Sequence, residues 1–291
     1  MQAIHTRWST WAYLVYASGL IALVALEGWW TYFASKWSDA GFAAAALGLF
    51  VVVAAVAVTF RRTAHPVLAG IFAFVSVAAF FAFLGALWTW FGWASPTGAS
   101  GFDGFSVSRL LAVLLSFVVA VTALSVFRFP LLLVLVIATG WYFVTDFVSN
   151  GGGWSAIVTI FIGLCILGAG LVVDDGPSRV YGMWLHLGAG LLIGGGLLYF
   201  WHGGNIEWTL LALAAIAYIL FADVTGRASW AVLGSIGLLF ASIHFALEWT
   251  HVQLLFFNGG SETVRAWVAP LVLTCLSALL VVLGLRSARR A

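Results

Sequence analysis

The chain has 291 residues, of which 64% are hydrophobic and 8% charged, with a formal net charge of +2. A water-soluble domain keeps about a quarter of its residues charged, because charge is what covers its outside. An ordinary soluble enzyme is therefore excluded, no basic patch for nucleic acid exists, and the solvent for most of this surface must be lipid.

A helix crossing a hydrocarbon core of about 30 Å needs roughly 20 mostly apolar residues. In chain order ten segments meet that need: 8–29, 41–60, 67–91, 110–127, 131–148, 155–173, 181–201, 209–222, 230–249 and 268–285. The expected fold is an all-α, polytopic helix bundle occupying residues 1–291 as a single transmembrane domain, with no soluble domain. The eighth segment is the shortest, yet without it the sidedness of everything after it would reverse. No small-residue cleavage site follows Arg7, which leads straight into the first segment, so that helix is expected to stay attached.

Ten crossings put both termini on one side, and the connections can then be tested against the positive-inside rule. Arg7, Arg61, Arg62, Arg128, Arg179, Arg227, Arg286, Arg289 and Arg290 fall on the terminal side, against Lys36, Arg109 and Arg265 on the other. Both termini are accordingly expected in the cytoplasm. Arginine greatly outnumbers Lys36, the sole lysine, amid abundant Ala, Gly and Val, as in a GC-rich bacterial genome, so a bacterial inner membrane is the expected location. Most acidic residues and most tryptophans lie at the outer rim, where indole rings form an aromatic belt. The longer connections are also outside: 92–108, rich in Gly and Ser, and 251–267, which contains Leu254-Leu255-Phe256-Phe257. Long connections tend to carry function, so the outer face is the expected working face.

Ten helices divide as five plus five, the logic of inverted-repeat transporters. A hairpin repeat is equally visible: Tyr142-Phe143, Asp146 and Gly151-Gly152-Gly153-Trp154 are echoed by Tyr199-Phe200, His202, Gly203-Gly204 and Trp208. The seventh segment carries Gly182, Gly188, Gly190 and Gly194-Gly195-Gly196. The spacing of Gly190 and Gly194 allows two helices to approach closely, and a hinge or unwound binding segment is the alternative. Cys165 and Cys275 lie in apolar stretches and are expected to be buried thiols.

Ionisable groups inside a span are expensive and are functional candidates by default. Asp146 and His244 each fall about 24–25 Å along their helices, just below the outer surface. Glu248 and His251 follow His244 at i+4 and i+7, so one stripe carries His-x-x-x-Glu-x-x-His if the helix extends that far. Such a ring could bind a cation or a substrate, and imidazole with carboxylate also suits a divalent metal. The plainer alternative leaves Glu248 in headgroup water and His244 in a satisfied helix contact. His186, about 10 Å into the membrane from the cytoplasmic side, is either a neutral packing residue or part of an inner path. No cofactor is predicted; metal or haem stays open, although the separate depths of His186 and His244 disfavour one shared haem.

Two functions follow from these expectations. The first is a transporter or channel for a small solute or cation, with Asp146, His244, Glu248 and His251 outside and His186 within. The second is a non-enzymatic membrane subunit or scaffold docking partners through its outer aromatic and glycine-rich loops. The expected partners are membrane lipid and either copies of itself or other membrane subunits. A membrane enzyme is the least favoured reading, because no nucleophile elbow, phosphate loop or clustered Cys/His zinc motif is present.

Overall fold

The computed structural model of the protein describes residues 32, 36–62, 66–93, 107–148, 151–176 and 178–249. The segments expected at 8–29 and 268–285 lie outside the described residues, as do His251 and Cys275. Within them the chain is helical: α1 (Asp39–Arg61), α2 (Pro66–Trp90), α3 (Val107–Phe127), α4 (Leu132–Val148), α5 (Gly152–Asp174), α6 (Arg179–Phe200), α7 (Asn205–Thr225) and α8 (Ala228–Trp249). Seven of these are long and apolar enough to cross a membrane, and α4, at 17 residues, falls just short of that length. The protein is a polytopic helical membrane protein.

The helix limits follow from local chemistry. Ser38 caps α1 by accepting from the Gly41 N–H at 3.3 Å, and Pro66 opens α2 at a position where a missing N–H is harmless. The eighth segment, expected to be short, is a full helix of 21 residues. Apolar residues alone mark only its middle. Its polar first turn, from Asn205 through Glu207, and its last turn, closed by Gly226 in the left-handed conformation at φ 63, extend it to membrane-spanning length.

Contacts divide the chain into two units, Met1–Gly196 and Leu197–Ala291. In the first unit α2 is the most enclosed helix, about half buried where the other spans are mostly exposed. Neighbours run antiparallel: Phe60 near the end of α1 stacks on Phe72 near the start of α2, with ring centroids 5.6 Å apart. Ala57, Ile71, Ala73, Phe74, Val77, Ala120, Phe129 and Leu132 form the core cluster. Phe129 lies in the α3–α4 turn, after Arg128, whose φ of 52 is left-handed. Tyr181 of α6 holds that turn by donating to the Arg128 carbonyl at 3.0 Å. Arg61, Arg62, Arg128 and Arg179 thus share the helix ends opposite to the one bearing Arg109.

Lipid gives no hydrophobic force between helices, so contact depends on close approach of small residues. The glycines of α6 serve that purpose. The helix is continuous from Arg179 to Phe200, which removes the alternative of a hinge or unwound segment. A Cβ on Gly188 would stand 2.7 Å from Ile137 of α4, and one on Gly196 would stand 2.5 Å from Ile160 and 3.0 Å from the Ala156 carbonyl of α5. Gly195 has nothing within 4 Å. Adjacent substitutions are therefore expected to act oppositely. Gly195→Ala should stabilise by up to about 1 kcal/mol through helix propensity, whereas Gly196→Ala should destabilise by about 1–3 kcal/mol through overpacking. Thermal unfolding of the two variants in detergent measures both signs, and equal shifts would refute the close approach.

Cys165 is exposed on α5 and not buried as expected. An apolar neighbourhood along a membrane helix includes its lipid-facing side, so flanking hydrophobicity does not report inwardness. In the second unit α7 and α8 pack closely: a Cβ on Gly234 would meet the Ala215 carbonyl at 2.5 Å. Trp230 packs edge-on against Tyr218 and Phe221, at centroid distances of 4.8 and 5.0 Å.

Candidate functional site

The polar residues of α4 lie on one face. Trp141, Tyr142, Thr145 and Asp146 follow the i, i+1, i+4, i+5 pattern that groups side chains on one side of a helix. Thr145 and Asp146 are buried while Val144, Phe147 and Val148 are exposed. The helix therefore turns Thr145 and Asp146 inward and Val144, Phe147 and Val148 outward.

Asp146 is 1% exposed and pairs with Arg109 of α3, Nη2 to Oδ1, at 2.5 Å. Arg109, expected among the outer connections, stands in the first turn of α3 with its side chain 24% exposed. Each charge is at the unfavourable end of its own helix and the favourable end of its neighbour's. Arg109 is a cation at the N-terminus of α3 beside the C-terminus of α4, and Asp146 is the reverse. Antiparallel pairing turns two local penalties into mutual support.

Neighbouring residues hold this end in place. Trp88, near the end of α2, donates to the Ser108 carbonyl at 2.8 Å, fixing the backbone beside Arg109, and Ser108 Oγ donates to the Trp93 carbonyl at 3.2 Å. Trp141 donates to Thr159 Oγ1 of α5 at 2.9 Å, and that hydroxyl donates to the Ser155 carbonyl at 2.8 Å. Tyr142, one turn from Asp146, lies within electrostatic range of both Arg109 and Asp146. Asp146 Oδ2 is buried and accepts no hydrogen bond among the described residues.

His186 is fully buried at the other end of the same unit, as its depth implied, but it is not a lone histidine. Its Nε2 lies 2.8 Å from Oδ2 of Asp174, the last residue of α5. An ionised carboxylate only accepts, so Nε2 carries the hydrogen. The pair joins α5 to α6 across their connection.

In the second unit His244 Nε2 lies 3.2 Å from Asn205 Oδ1, and its ring stacks on Trp208 at 4.4 Å and 11°. His244 thus joins the end of α8 to the start of α7, which is the satisfied contact that the sequence left as the alternative. Glu248 is exposed one turn further on. The stripe through His251 runs beyond the described residues. His202 Nδ1 donates to the Leu198 and Tyr199 carbonyls at 3.1 and 2.7 Å, capping α6, while Trp208 Nε1 donates to the His202 carbonyl at 3.1 Å. His202 caps a helix end where Asp146 sits inside a helix, so the two halves of the hairpin echo differ in chemistry. Asp146 and His186 belong to one unit, His244 and Glu248 to the other. Among the described residues no three His, Cys, Asp or Glu side chains are grouped to hold a metal ion.

Arg109, Asp174 and Tyr142 are the site residues that sequence reasoning missed. Arg109, Lys36 and Arg265 depart from the basic-inside pattern, and a cation opening an apolar helix is a signal of an acidic partner nearby. Comparison with protein-family models, with curated proteins and with solved structures finds no match.

Proposed function

We propose that the protein is a transporter or channel for a small solute, entered at the end of the bundle where Arg109 and Asp146 meet. In this reading the apolar segments 8–29 and 268–285, outside the described residues, complete ten crossings of a bacterial inner membrane. The arginine-rich ends face the cytoplasm, and the Arg109–Asp146 end faces outward. Asp146 is the observation that carries the proposal. A fully buried carboxylate with one oxygen on Arg109 and the other accepting nothing among the described residues is costly in an apolar bundle. Helix packing alone does not require it, since Gly140 already lets α4 approach Phe117 of α3. The alternative, a subunit docking partners through outer loops, depends on segments outside the described residues.

A hydrated path is the requirement. In a background lacking Cys165 and Cys275, Thr145→Cys is close to volume-conserving and stands beside Asp146, whereas Val144→Cys points outward. In native vesicles a membrane-impermeant cationic thiosulfonate is expected to modify the cysteine at 145 and to spare the one at 144. Failure to modify the cysteine at 145, with its thiol titratable after unfolding, would mean a dry bundle and end the transport reading.

A further inference from the structure

We infer that the arginines at the end of α1 and in the α3–α4 turn seat an anionic phospholipid, with its phosphodiester at Arg61, Arg62 and Arg128 and its acyl chains along the helices below. This binding site is independent of the transport reading. Arg61 is the last residue of α1, and its guanidinium stands over the ring of Phe127 in α3, 6.0 Å from the centroid. Arg62 caps α1, and Arg128 follows Phe127 directly. Three exposed cations are thereby gathered at two adjoining helix ends, and none of them makes an ion pair among the described residues. The ends of membrane-spanning helices lie at headgroup level, where lipid phosphate is the abundant anion.

An excess of basic residues sets the sidedness of a membrane protein, but that rule asks only for their number. Arg128 exceeds it. Its φ of 52 is the left-handed conformation that favours glycine, and Tyr181 holds the turn there by donating to the Arg128 carbonyl. A cationic side chain kept where the backbone favours none points to a use for the cation. Neighbouring hydroxyls are spent elsewhere: Thr59 donates to the Ala55 carbonyl at 2.9 Å and Ser125 to the Val121 carbonyl at 2.8 Å. An anion at this end is therefore met by guanidinium groups, whose planar donors match phosphate oxygens. Val58, one turn below Arg61, and Val118, further along α3, are exposed. They give acyl chains an apolar wall that a water-soluble phosphate could not use.

Titration of the detergent-purified full chain with phosphatidylglycerol or with phosphatidylcholine of the same acyl chains, read by native mass spectrometry, tests this. Phosphatidylglycerol is expected to bind at least about tenfold tighter. Arg61→Gln, Arg62→Gln and Arg128→Gln should each weaken it about fivefold, the factor one arginine is worth beside an anionic lipid, and leave phosphatidylcholine unchanged. Lys36→Gln removes the same charge from an exposed residue ahead of the opposite end of α1 and should change neither. Arg128→Gly relaxes the left-handed backbone, so it should keep or raise the thermal midpoint in neutral detergent while losing the same fivefold in lipid affinity, a split that a purely structural arginine would not produce. Equal affinity for the two lipids overturns the inference, as does an effect of Lys36→Gln equal to that of Arg128→Gln, or Arg128→Gly retaining full affinity for phosphatidylglycerol. Displacement of the lipid by an equal concentration of glycerol 3-phosphate overturns it in favour of a soluble phosphate ligand. If a variant does not fold by circular dichroism, the ratio of the two lipids on the unsubstituted protein decides alone.

Discussion

Asp146→Ala is expected to lower the stability of the bundle by about 3–5 kcal/mol, the cost of leaving one partner of a buried ion pair alone. Arg109→Ala should cost more, because it leaves behind Asp146, which is 1% exposed, whereas Asp146→Ala leaves behind a side chain that is 24% exposed, so the abandoned cation finds water more readily than the abandoned carboxylate. The arithmetic of the pair differs from that of either residue. Arg109 and Asp146 each oppose the dipole of their own helix by about 0.3–1 kcal/mol and are offset only by the neighbouring helix. Removing both charges removes both penalties. Arg109→Leu with Asp146→Leu should therefore recover most of what either single change loses. Unfolding of the unsubstituted protein, the two single leucine variants and the double leucine variant in mixed detergent gives the coupling directly. Additive losses would show that the two side chains do not stabilise each other.

The second large effect concerns Phe129, which is 0% exposed in the core cluster of the first unit. Its ring fills the place where Gly70 of α2 lacks a side chain; a Cβ there would lie 2.6 Å from each ring Cδ atom. Phe129→Ala is expected to cost about 3–5 kcal/mol, chiefly as a cavity and lost packing, since lipid leaves little transfer term. Gly70→Ala cannot be relieved by a flexible side-chain tip, because the clash is with the middle of a ring clamped between α2 and the α3–α4 turn. It should cost about 1–3 kcal/mol alone. Placed on Phe129→Ala, the same methyl enters an empty space and should be neutral or stabilising. Thermal unfolding of this cycle checks the reversal of sign, and a Gly70→Ala cost that persists without Phe129 would refute the contact.

The helices themselves were legible because membrane helices need length and apolarity, and both are properties of consecutive residues. Eight of the expected segments match α1 to α8 to within a few residues at most ends. The exception is informative: α7 reaches beyond 209–222 on both sides because its polar first turn and glycine stop do not register as hydropathy. Asp146 and His186 were found for the same reason, a titratable side chain where apolar ones are the rule, and both are buried.

Partners were not legible. Asp146 meets Arg109 across 37 positions, and His244 meets Asn205 across 39. Nothing in the local pattern of either residue names the other. Inwardness escaped in the same way, since Gly195 and Gly196 are indistinguishable in sequence and differ completely in what lies beside them, while Cys165 faces out of an equally apolar helix. The sequence by itself determined a polytopic helical membrane protein and where along its helices the ionisable residues fall, because both depend on one chain and its solvent. Only the tertiary structure decided that Asp146 is balanced by Arg109 and that the glycines of α6 serve contact and not bending. Those outcomes depend on which helix faces are brought together.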